Sequence, residues 1–210
     1  MTPVPQITAF ILAGGKSTRM GTDKAFVKFN GKTLLLRALE IARGVTGDVR
    51  IVGSPEKFSK YGPVVEDIFR DCGPLGGIHA ALRGSPTELN LMLAVDMPFI
   101  SASFLNYLVL QARATPELVV IPVTGGRFQP LCALYRREFG SAAETALQTG
   151  HNRIDALFKM VSTRLIGEDE LSRAGFSSAL FRNLNSPREL QQAREQESAA
   201  EPDGYTMNNS

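Results

Sequence analysis

Short apolar runs alternate with amphipathic stretches along the chain. Because short apolar runs form buried strands and amphipathic stretches form helices, the pattern predicts strands connected by helices. The predicted strands are residues 7–12, 49–52, 64–65, 89–95, 118–122, 129–135 and 162–166. The predicted helices are residues 34–43, 56–61, 78–82, 102–113, 138–147, 154–160 and 187–190. Strand–helix–strand units of this kind form parallel sheets, so an α/β fold with a mostly parallel sheet is expected.

Local capping and turn signals support several of these boundaries. Thr33 precedes one helical stretch and either Ser101 or Ser103 can begin another, because serine and threonine cap helix N-termini well. Asn30-Gly31 is a turn signal. The sequence Ser186-Pro187-x-Glu189 is a capping box with proline at the first helical position. These signals predict where helices begin and leave the order of the strands open.

The composition is that of an ordinary globular protein. Of the 210 residues, 43% are hydrophobic and the net charge is +2, which gives no indication of a nucleic-acid or membrane partner. We expect one domain over residues 1–196 and a polar, disordered tail over residues 197–210. The N-terminus has no signal-peptide pattern. Cys72 and Cys132 are too few for a disulfide framework, so reduced thiols and a cytoplasmic location are expected.

A glycine-rich, basic stretch follows the first predicted strand. It spans residues 12–24 and combines three glycines with three cations: Gly14, Gly15, Gly21, Lys16, Arg19 and Lys24. Its spacing fits neither the Walker A pattern nor the G-x-G-x-x-G dinucleotide pattern. Open α/β sheets bind ligands where strands end, and backbone N–H groups together with cations bind phosphate oxygens. The stretch therefore predicts a polyphosphate-binding loop, with a solvated turn as the alternative.

A carboxylate is predicted at the same edge of the sheet. Asp96 follows the most apolar strand, and Pro98 ends the strand because proline has no N–H to donate. A carboxylate facing polyphosphate needs a cation between them. Mg²⁺ fits because it takes oxygen ligands and bridges carboxylates to phosphates, and Mn²⁺ accepts the same ligands. The alternative is that Asp96 only caps the next helix.

The stretch Leu-Ala-Gly-Gly-x-Ser-x-Arg-Met-Gly-x-Asp-Lys at residues 12–24 resembles the signature of the molybdenum cofactor guanylyltransferases. Four further segments resemble motifs of that family: Gly-Pro-Leu-x-Gly-Ile at 73–78, Asp-Met-Pro at 96–98, Gln-Pro-Leu at 129–131 and Asn-x-Asn-Ser-Pro at 183–187. The resemblance implies a single-domain Rossmann-like fold, a three-layer α/β/α sandwich of the nucleotidyltransferase superfamily. It also implies transfer of GMP from GTP to the terminal phosphate of molybdenum-bound molybdopterin, with release of pyrophosphate.

The resemblance also implies roles for individual residues. On the nucleotide side, Arg19, Lys24 and Asp96 would be catalytic, and Asp96 would bind Mg²⁺. The nucleotide contacts would come from Leu12, Ala13, Gly14, Gly15, Lys24, Asp67, Gly76 and Asp96. The N–H groups of Gly14 and Gly15 would bind the triphosphate. The pterin side would include Gln129, Arg153, Asn183 and Asn185.

Other functions stay open on the sequence. A CTP-dependent molybdopterin cytidylyltransferase or a sugar-phosphate nucleotidyltransferase could share the first motif, and a nucleotide-binding module without catalysis is a more distant alternative. Relatives can carry asparagine after the second strand, where this chain has Val52-Gly53, so base or ribose contacts there are in doubt. The reactive product suggests hand-over to molybdoenzymes or their chaperones. His79 and His151 are expected to be packed or surface residues.

Overall fold

The structure, a computed structural model, describes residues 6–14, 23–69, 71–184 and 188–193. Its strands are β1 (Ile7–Leu12), β2 (Lys28–Phe29), β3 (Lys32–Thr33), β4 (Asp48–Val52), β5 (Val64–Val65), β6 (Leu89–Ala94), β7 (Val119–Thr124), β8 (Arg127–Phe128), β9 (Cys132–Arg136) and β10 (Thr163–Ile166). Its helices are α1 (Leu34–Arg43), α2 (Pro55–Phe58), α3 (Gly73–Arg83), α4 (Ala102–Arg113), α5 (Phe139–Gln148), α6 (Ile154–Leu157) and α7 (Glu168–Arg173). Short 3-10 turns cover Lys24–Phe26 and Ser178–Phe181. Residues 188–193 are also helical.

The main sheet has the strand order β10-β7-β9-β6-β1-β4-β5, with β8 paired to β7. All neighbours in that order pair in parallel except β9, which is antiparallel to both β6 and β7. The expected α/β fold with a mostly parallel sheet is therefore confirmed. The sequence did not indicate that the strand after Gln129 would lie inside the sheet with reversed direction.

Two hydrophobic clusters, one on each face of the sheet, make the three layers. Alternate residues of β6 point to opposite faces, as strand geometry requires. Leu91 and Leu93 belong to the cluster that includes residues of α1 and α4. Met92 belongs to the cluster that includes residues of α3 and α5. The three-layer sandwich expected from the resemblance is confirmed.

The predicted caps and turns are present where the structure describes them. The Thr33 hydroxyl accepts a hydrogen bond from the N–H of Leu36 at 3.3 Å, and the Ser101 hydroxyl accepts one from the N–H of Phe104 at 3.2 Å. Gly31, at the β2–β3 turn, has a φ of 77°, a conformation that glycine adopts without a steric cost. The capping box at Ser186 and Pro187 lies outside the described residues.

Several elements differ from the sequence-based expectations. Helix α7 and the 3-10 turn at Ser178–Phe181 were not predicted, because these segments of six and four residues are too short to show a periodic pattern. Helix α3 begins at Gly73, earlier than expected, since the glycines and Pro74 form its first turn and do not only precede it. Strand β7 continues to Thr124, two residues beyond the predicted end at residue 122. Within the described residues, no helix is both long enough and apolar enough to cross a membrane.

Candidate active site

The carboxyl ends of six strands, β1, β4, β5, β6, β7 and β10, meet at one edge of the sheet, as their mutual directions require. The chain leaves β1 at Ala13 and Gly14. Both N–H groups donate to the carbonyl oxygen of Val52, at 3.0 and 3.1 Å. The N–H of Gly14 is therefore used within the sheet. The expectation that this N–H group faces a triphosphate does not agree with the structure. Gly14 has no side chain, so its backbone can still lie against a ligand.

Lys24 and Asp96, which are 72 residues apart in the sequence, form an ion pair at this edge. Lys24 Nζ lies 3.0 Å from Asp96 Oδ2, and the two side chains are 20% and 18% exposed. Lys24 comes from the 3-10 turn after the glycine-rich stretch, and Asp96 comes from the turn after β6. Two of the three residues expected to be catalytic are thus brought into direct contact, and the third, Arg19, lies outside the described residues.

The backbone around Asp96 is held from both sides. The N–H of Leu184 donates to the carbonyl oxygen of Asp96 at 3.0 Å. Arg37 Nε donates to the carbonyl oxygen of Pro98 at 2.7 Å. The ring of Phe99 contacts the guanidinium of Arg182, whose carbon lies 5.0 Å from the ring centroid. These contacts fix the Asp-Met-Pro turn, and they place the exposed Asn183 directly beside it.

A second pair forms where α3 begins. The Oδ1 atom of Asp67 accepts a hydrogen bond from the N–H of Phe69 at 3.0 Å. A Cβ atom placed on Gly76 would lie 3.2 Å from both carboxylate oxygens of Asp67 and 2.6 Å from the carbonyl oxygen of Phe69. Asp67 and Gly76 are thus neighbours, as a shared nucleotide contact would require. Gly77 lies against the side chains of Leu12 and Val52.

The residues expected on the pterin side are less closely grouped. Gln129 Nε2 donates to the hydroxyl of Thr124 at 2.8 Å, at the carboxyl end of β7. The carbonyl oxygen of the nearby Leu131 accepts from the N–H of Ala94, at the end of β6. Arg153 is exposed at the start of α6, in the segment that follows α5. The structure gives Arg153 no contact with the other described site residues.

Three predicted site residues, Gly15, Arg19 and Asn185, lie outside the described residues. Sequence reasoning missed others that support the site. The Asp23 carboxylate accepts a hydrogen bond from the N–H of Ala25 at 3.2 Å and forms an ion pair with Lys57 at 2.8 Å. Asp23 belongs to the recognised motif, which could have drawn attention to it. No sequence signal pointed to Lys57.

His79 is packed, as expected, and is 1% exposed. Its ring makes an edge contact with Phe69, with ring centroids 5.1 Å apart. Burial lowers the pKa of His79, and the carboxylate of Glu144 opposes this effect only in part. Burial likewise raises the pKa of the Cys132 thiol well above its usual range. Neither group takes part in the ion pair at the sheet edge.

The arrangement can stabilise negative charge without a covalent step. Lys24 and Asp96 face each other at the edge where open α/β sheets bind their ligands, and Gly14 at the same edge has no side chain. Neither partner is arranged as a nucleophile beside a base, whereas positioning and charge stabilisation can be the whole of catalysis in phosphoryl and nucleotidyl transfer. The fold and the residues at this edge of the sheet together define an α/β protein whose ligand site can stabilise the negative charge of a transferred phosphoryl or nucleotidyl group.

Comparison with known proteins makes the class more specific. The model of the MobA-like NTP transferase domain matches residues 9–165, and the chain belongs to this family. It is 31% identical to a molybdenum cofactor guanylyltransferase of Syntrophotalea carbinolica, over 90% of this chain and 91% of the relative. It is 33% identical to a probable molybdenum cofactor guanylyltransferase of Pelotomaculum thermopropionicum, over 90% and 92% of the two chains.

Solved structures give the same result. The molybdopterin-guanine dinucleotide biosynthesis protein A from Archaeoglobus fulgidus matches with a TM-score of 0.80 and 26% identity, over 91% of this chain and 99% of that one. A CMP:2-keto-3-deoxy-manno-octonic acid synthetase matches with a TM-score of 0.71 and 14% identity, over 93% and 99% of the chains. The second similarity shows a shared fold only. The family and the fold expected from the first motif are therefore confirmed.

Proposed function

We propose that this protein transfers GMP from GTP to the terminal phosphate of molybdenum-bound molybdopterin, giving the guanine dinucleotide cofactor and pyrophosphate. The observation that carries the proposal is the 3.0 Å contact between Lys24 and Asp96 at the ligand-binding edge of the sheet. Both residues stand in motifs that resemble those of the guanylyltransferases. The relatives that match over nine tenths of the chain bear the same functional name.

The reaction is an in-line displacement at phosphorus. An oxygen of the pterin phosphate forms a bond to the α-phosphorus of GTP, and the bond from that phosphorus to the oxygen bridging to the β-phosphate breaks. Pyrophosphate leaves with the electron pair. Both reactants are anions, so the protein must hold them in line and neutralise their charge. The ammonium of Lys24 has three N–H donors, so it can contact a phosphate oxygen while it still contacts Asp96.

Asp96 offers one carboxylate to a divalent metal, and the described residues contain no cluster of three or more acidic, histidine or cysteine side chains that could hold a metal without the substrate. The Asp96 carboxylate is partly exposed at the sheet edge, and Mg²⁺ is commonly held by one or two carboxylates together with substrate phosphates. We therefore assign Mg²⁺ to Asp96, with Mn²⁺ as a possible substitute. When bound, the metal would supply positive charge between the carboxylate and the phosphates. Lys24 orients the carboxylate before the nucleotide enters and contacts a phosphate oxygen once the nucleotide is bound.

The base and the pterin occupy different parts of the edge in this proposal. Leu12 and Gly77 form the apolar, side-chain-poor part against which a flat base can lie, and the buried Gly76 lets Asp67 pack beside it. Asp67 at the end of β5 provides a polar contact for the nucleotide. Asn183 lies one residue before Leu184, whose N–H holds the backbone of Asp96. This position beside the reacting phosphates supports the assignment of Asn183 to the pterin side, whereas Gln129 and Arg153 are assigned there on the resemblance alone.

Location and partners follow from the same chemistry. Cys72 and Cys132 are both free thiols, which supports a cytoplasmic place of action. The product carries a reactive metal centre, so direct hand-over to a molybdoenzyme or to its chaperone is part of the proposal.

The test is a reconstituted reaction with GTP, molybdenum-bound molybdopterin and Mg²⁺. Pyrophosphate release and formation of the dinucleotide cofactor are measured, and CTP, ATP and UTP are run in parallel. Asp96→Asn is expected to lower the rate at least about 100-fold, the usual effect of removing one group that stabilises charge in the transition state. Asp48→Asn is the matched control because Asp48 also pairs with a cation, Arg50, but lies at the start of β4, at the opposite edge of the sheet.

Each outcome supports or excludes one of the functions under consideration. Product from GTP alone supports the proposal, and product from CTP alone would make the protein a cytidylyltransferase with the same mechanism. Pyrophosphate release that is equal for all four nucleotides would contradict the assigned base site. An Asp96→Asn variant that is as active as the Asp48→Asn control would refute the assignment of the metal to Asp96.

A further inference from the structure

We propose that α2 and the residues directly after it form a clamp that positions Lys24, with Lys57 as the positioning residue. The clamp consists of Lys57, Phe58 and Tyr61, and it holds the 3-10 turn at Lys24–Phe26. Its existence is a feature of the fold, whereas its effect on the reaction rate rests on the proposed function.

The first contact of the clamp is electrostatic. Lys57 Nζ lies 2.8 Å from Asp23 Oδ2, while the other oxygen of the same carboxylate, Oδ1, accepts a hydrogen bond from the N–H of Ala25 at 3.2 Å. One carboxylate therefore both caps the turn that carries Lys24 and binds α2. Removing Lys57 leaves the cap without the cation that orients it.

The second contact is aromatic. The ring of Phe26, the last residue of the turn, lies 5.8 Å from the ring of Phe58 and 6.0 Å from the ring of Tyr61, measured between centroids. These are separations at which aromatic rings attract each other beyond simple burial. The turn is thus held at its N-cap, Asp23, and at its last residue, Phe26, by neighbouring parts of the same segment.

The clamp itself is joined firmly to the sheet. Phe58 is 1% exposed, and a Cβ atom placed on Gly53 would lie 2.7 Å from its ring. Gly53 continues the sheet, because its N–H donates to the carbonyl oxygen of Val65 at 3.0 Å. The glycine thus lets the ring pack against the end of β4, so the position of α2 is fixed relative to the ligand-binding edge.

The charge on Lys57 also determines which carboxylate forms an ion pair with Lys24. Asp23 is the residue directly before Lys24, and a carboxylate without its own cation would attract the Lys24 ammonium. Lys57 neutralises Asp23, so Lys24 is available to Asp96, at the end of β6. Lys57 therefore acts on the site through both the geometry of the turn and the choice of ion pair.

The test compares Lys57→Met with Lys57→Arg, which keeps the charge, and with Lys32→Met as the control. Lys32 is a matched lysine: it is also 55% exposed and it also pairs with a carboxylate, Glu40, at 2.8 Å. The first measurement is hydrogen exchange at the N–H groups of Ala25, Phe26 and Val27, all of which bond within the turn. The second is kcat for dinucleotide formation, with the thermal unfolding temperature as a check on folding.

Lys57→Met is expected to speed exchange at the three amides and to lower kcat, each by up to about fivefold, the size of an exposed ion pair. Lys57→Arg restores both values, and Lys32→Met changes neither. Asp23→Asn keeps a capping oxygen but loses the ion pair, so Lys57→Met has no further effect in that background. A positioning role of this kind leaves the unfolding temperature nearly unchanged.

The proposal is overturned if Lys57→Met leaves exchange at the three amides unchanged. It is also overturned if Lys57→Met lowers kcat by the same factor in the Asp23→Asn background. It is likewise overturned if Lys32→Met has the same effect as Lys57→Met. The exchange measurement needs no substrate, so it distinguishes a failed clamp from a failed assignment of function. Faster exchange in a protein without transferase activity would support the clamp and refute the function.

Discussion

Replacing Gly76 with alanine should destabilise the protein, whereas the same change at the adjacent Gly77 should not. Both glycines lie inside α3, so both variants gain the same helix propensity, roughly 0.5–1 kcal/mol. The surroundings differ. A Cβ on Gly76 would lie 2.6 Å from the carbonyl oxygen of Phe69, and a Cβ on Gly77 would lie 3.8 Å from its nearest neighbours, Leu12 and Val52.

The difference between the two variants isolates the steric clash. A separation of 2.6 Å from a backbone oxygen cannot be relieved by turning a side chain, so the loop at Asp67 and Phe69 must move away from α3. Forcing one extra carbon into a packed region costs about 1–3 kcal/mol. Because the propensity gain is common to both, Gly76→Ala should be less stable than Gly77→Ala by that amount. For a chain of this length the difference corresponds to roughly 2–12 °C in unfolding temperature.

The assay is urea unfolding of both variants, combined with titration of GTP in the presence of Mg²⁺. Gly76→Ala should bind GTP more weakly, because the displaced loop carries Asp67. An equally stable Gly76→Ala protein would mean that the Phe69 carbonyl is not fixed where the structure places it. Weaker stability without weaker GTP binding would instead refute the assignment of Asp67 to the nucleotide site.

Three further predictions test the site and the fold. Lys24→Ala should lower kcat by at least about 100-fold with little change in unfolding temperature, and near-normal turnover would refute its catalytic role. His79 has a pKa lowered by burial, so the unfolded chain takes up its proton first and stability should fall as the pH drops below about 6.5. His79→Phe should flatten that dependence, measured as the free energy of unfolding at about pH 7.5 and about pH 5.5; an unchanged slope would assign it to other groups. Thr33→Ala removes the cap on the N–H of Leu36 and should cost about 1 kcal/mol in chemical denaturation, while Thr33→Ser should restore it.

The sequence predicted best those features that depend on neighbouring residues. The caps at Thr33 and Ser101 and the strand before Asp96 follow from local patterns, and the structure confirms them. The meeting of Lys24 and Asp96 could also be anticipated, since the carboxyl ends of parallel strands share an edge.

Features that depend on distant pairings were not predictable. The reversed strand β9 follows a hairpin, and nothing in its apolar pattern distinguishes it from a parallel strand. The bond from Leu184 to Asp96 joins two backbone groups, and backbone groups are the same in every residue. The use of the Gly14 N–H by Val52 likewise depends on how β1 pairs with β4. These hydrogen-bond and strand partners cannot be derived from the sequence alone, because they depend on how the strands of the sheet pair.

Gly53 shows how such a pairing limits the residues that a position can hold. The ring of Phe58 fills the space that a side chain at residue 53 would occupy. Since Phe58 also contacts Phe26, an asparagine at residue 53 would push the ring away and loosen the turn that carries Lys24. An asparagine at residue 53 would therefore need a smaller residue at 58 and another support for the Lys24 turn.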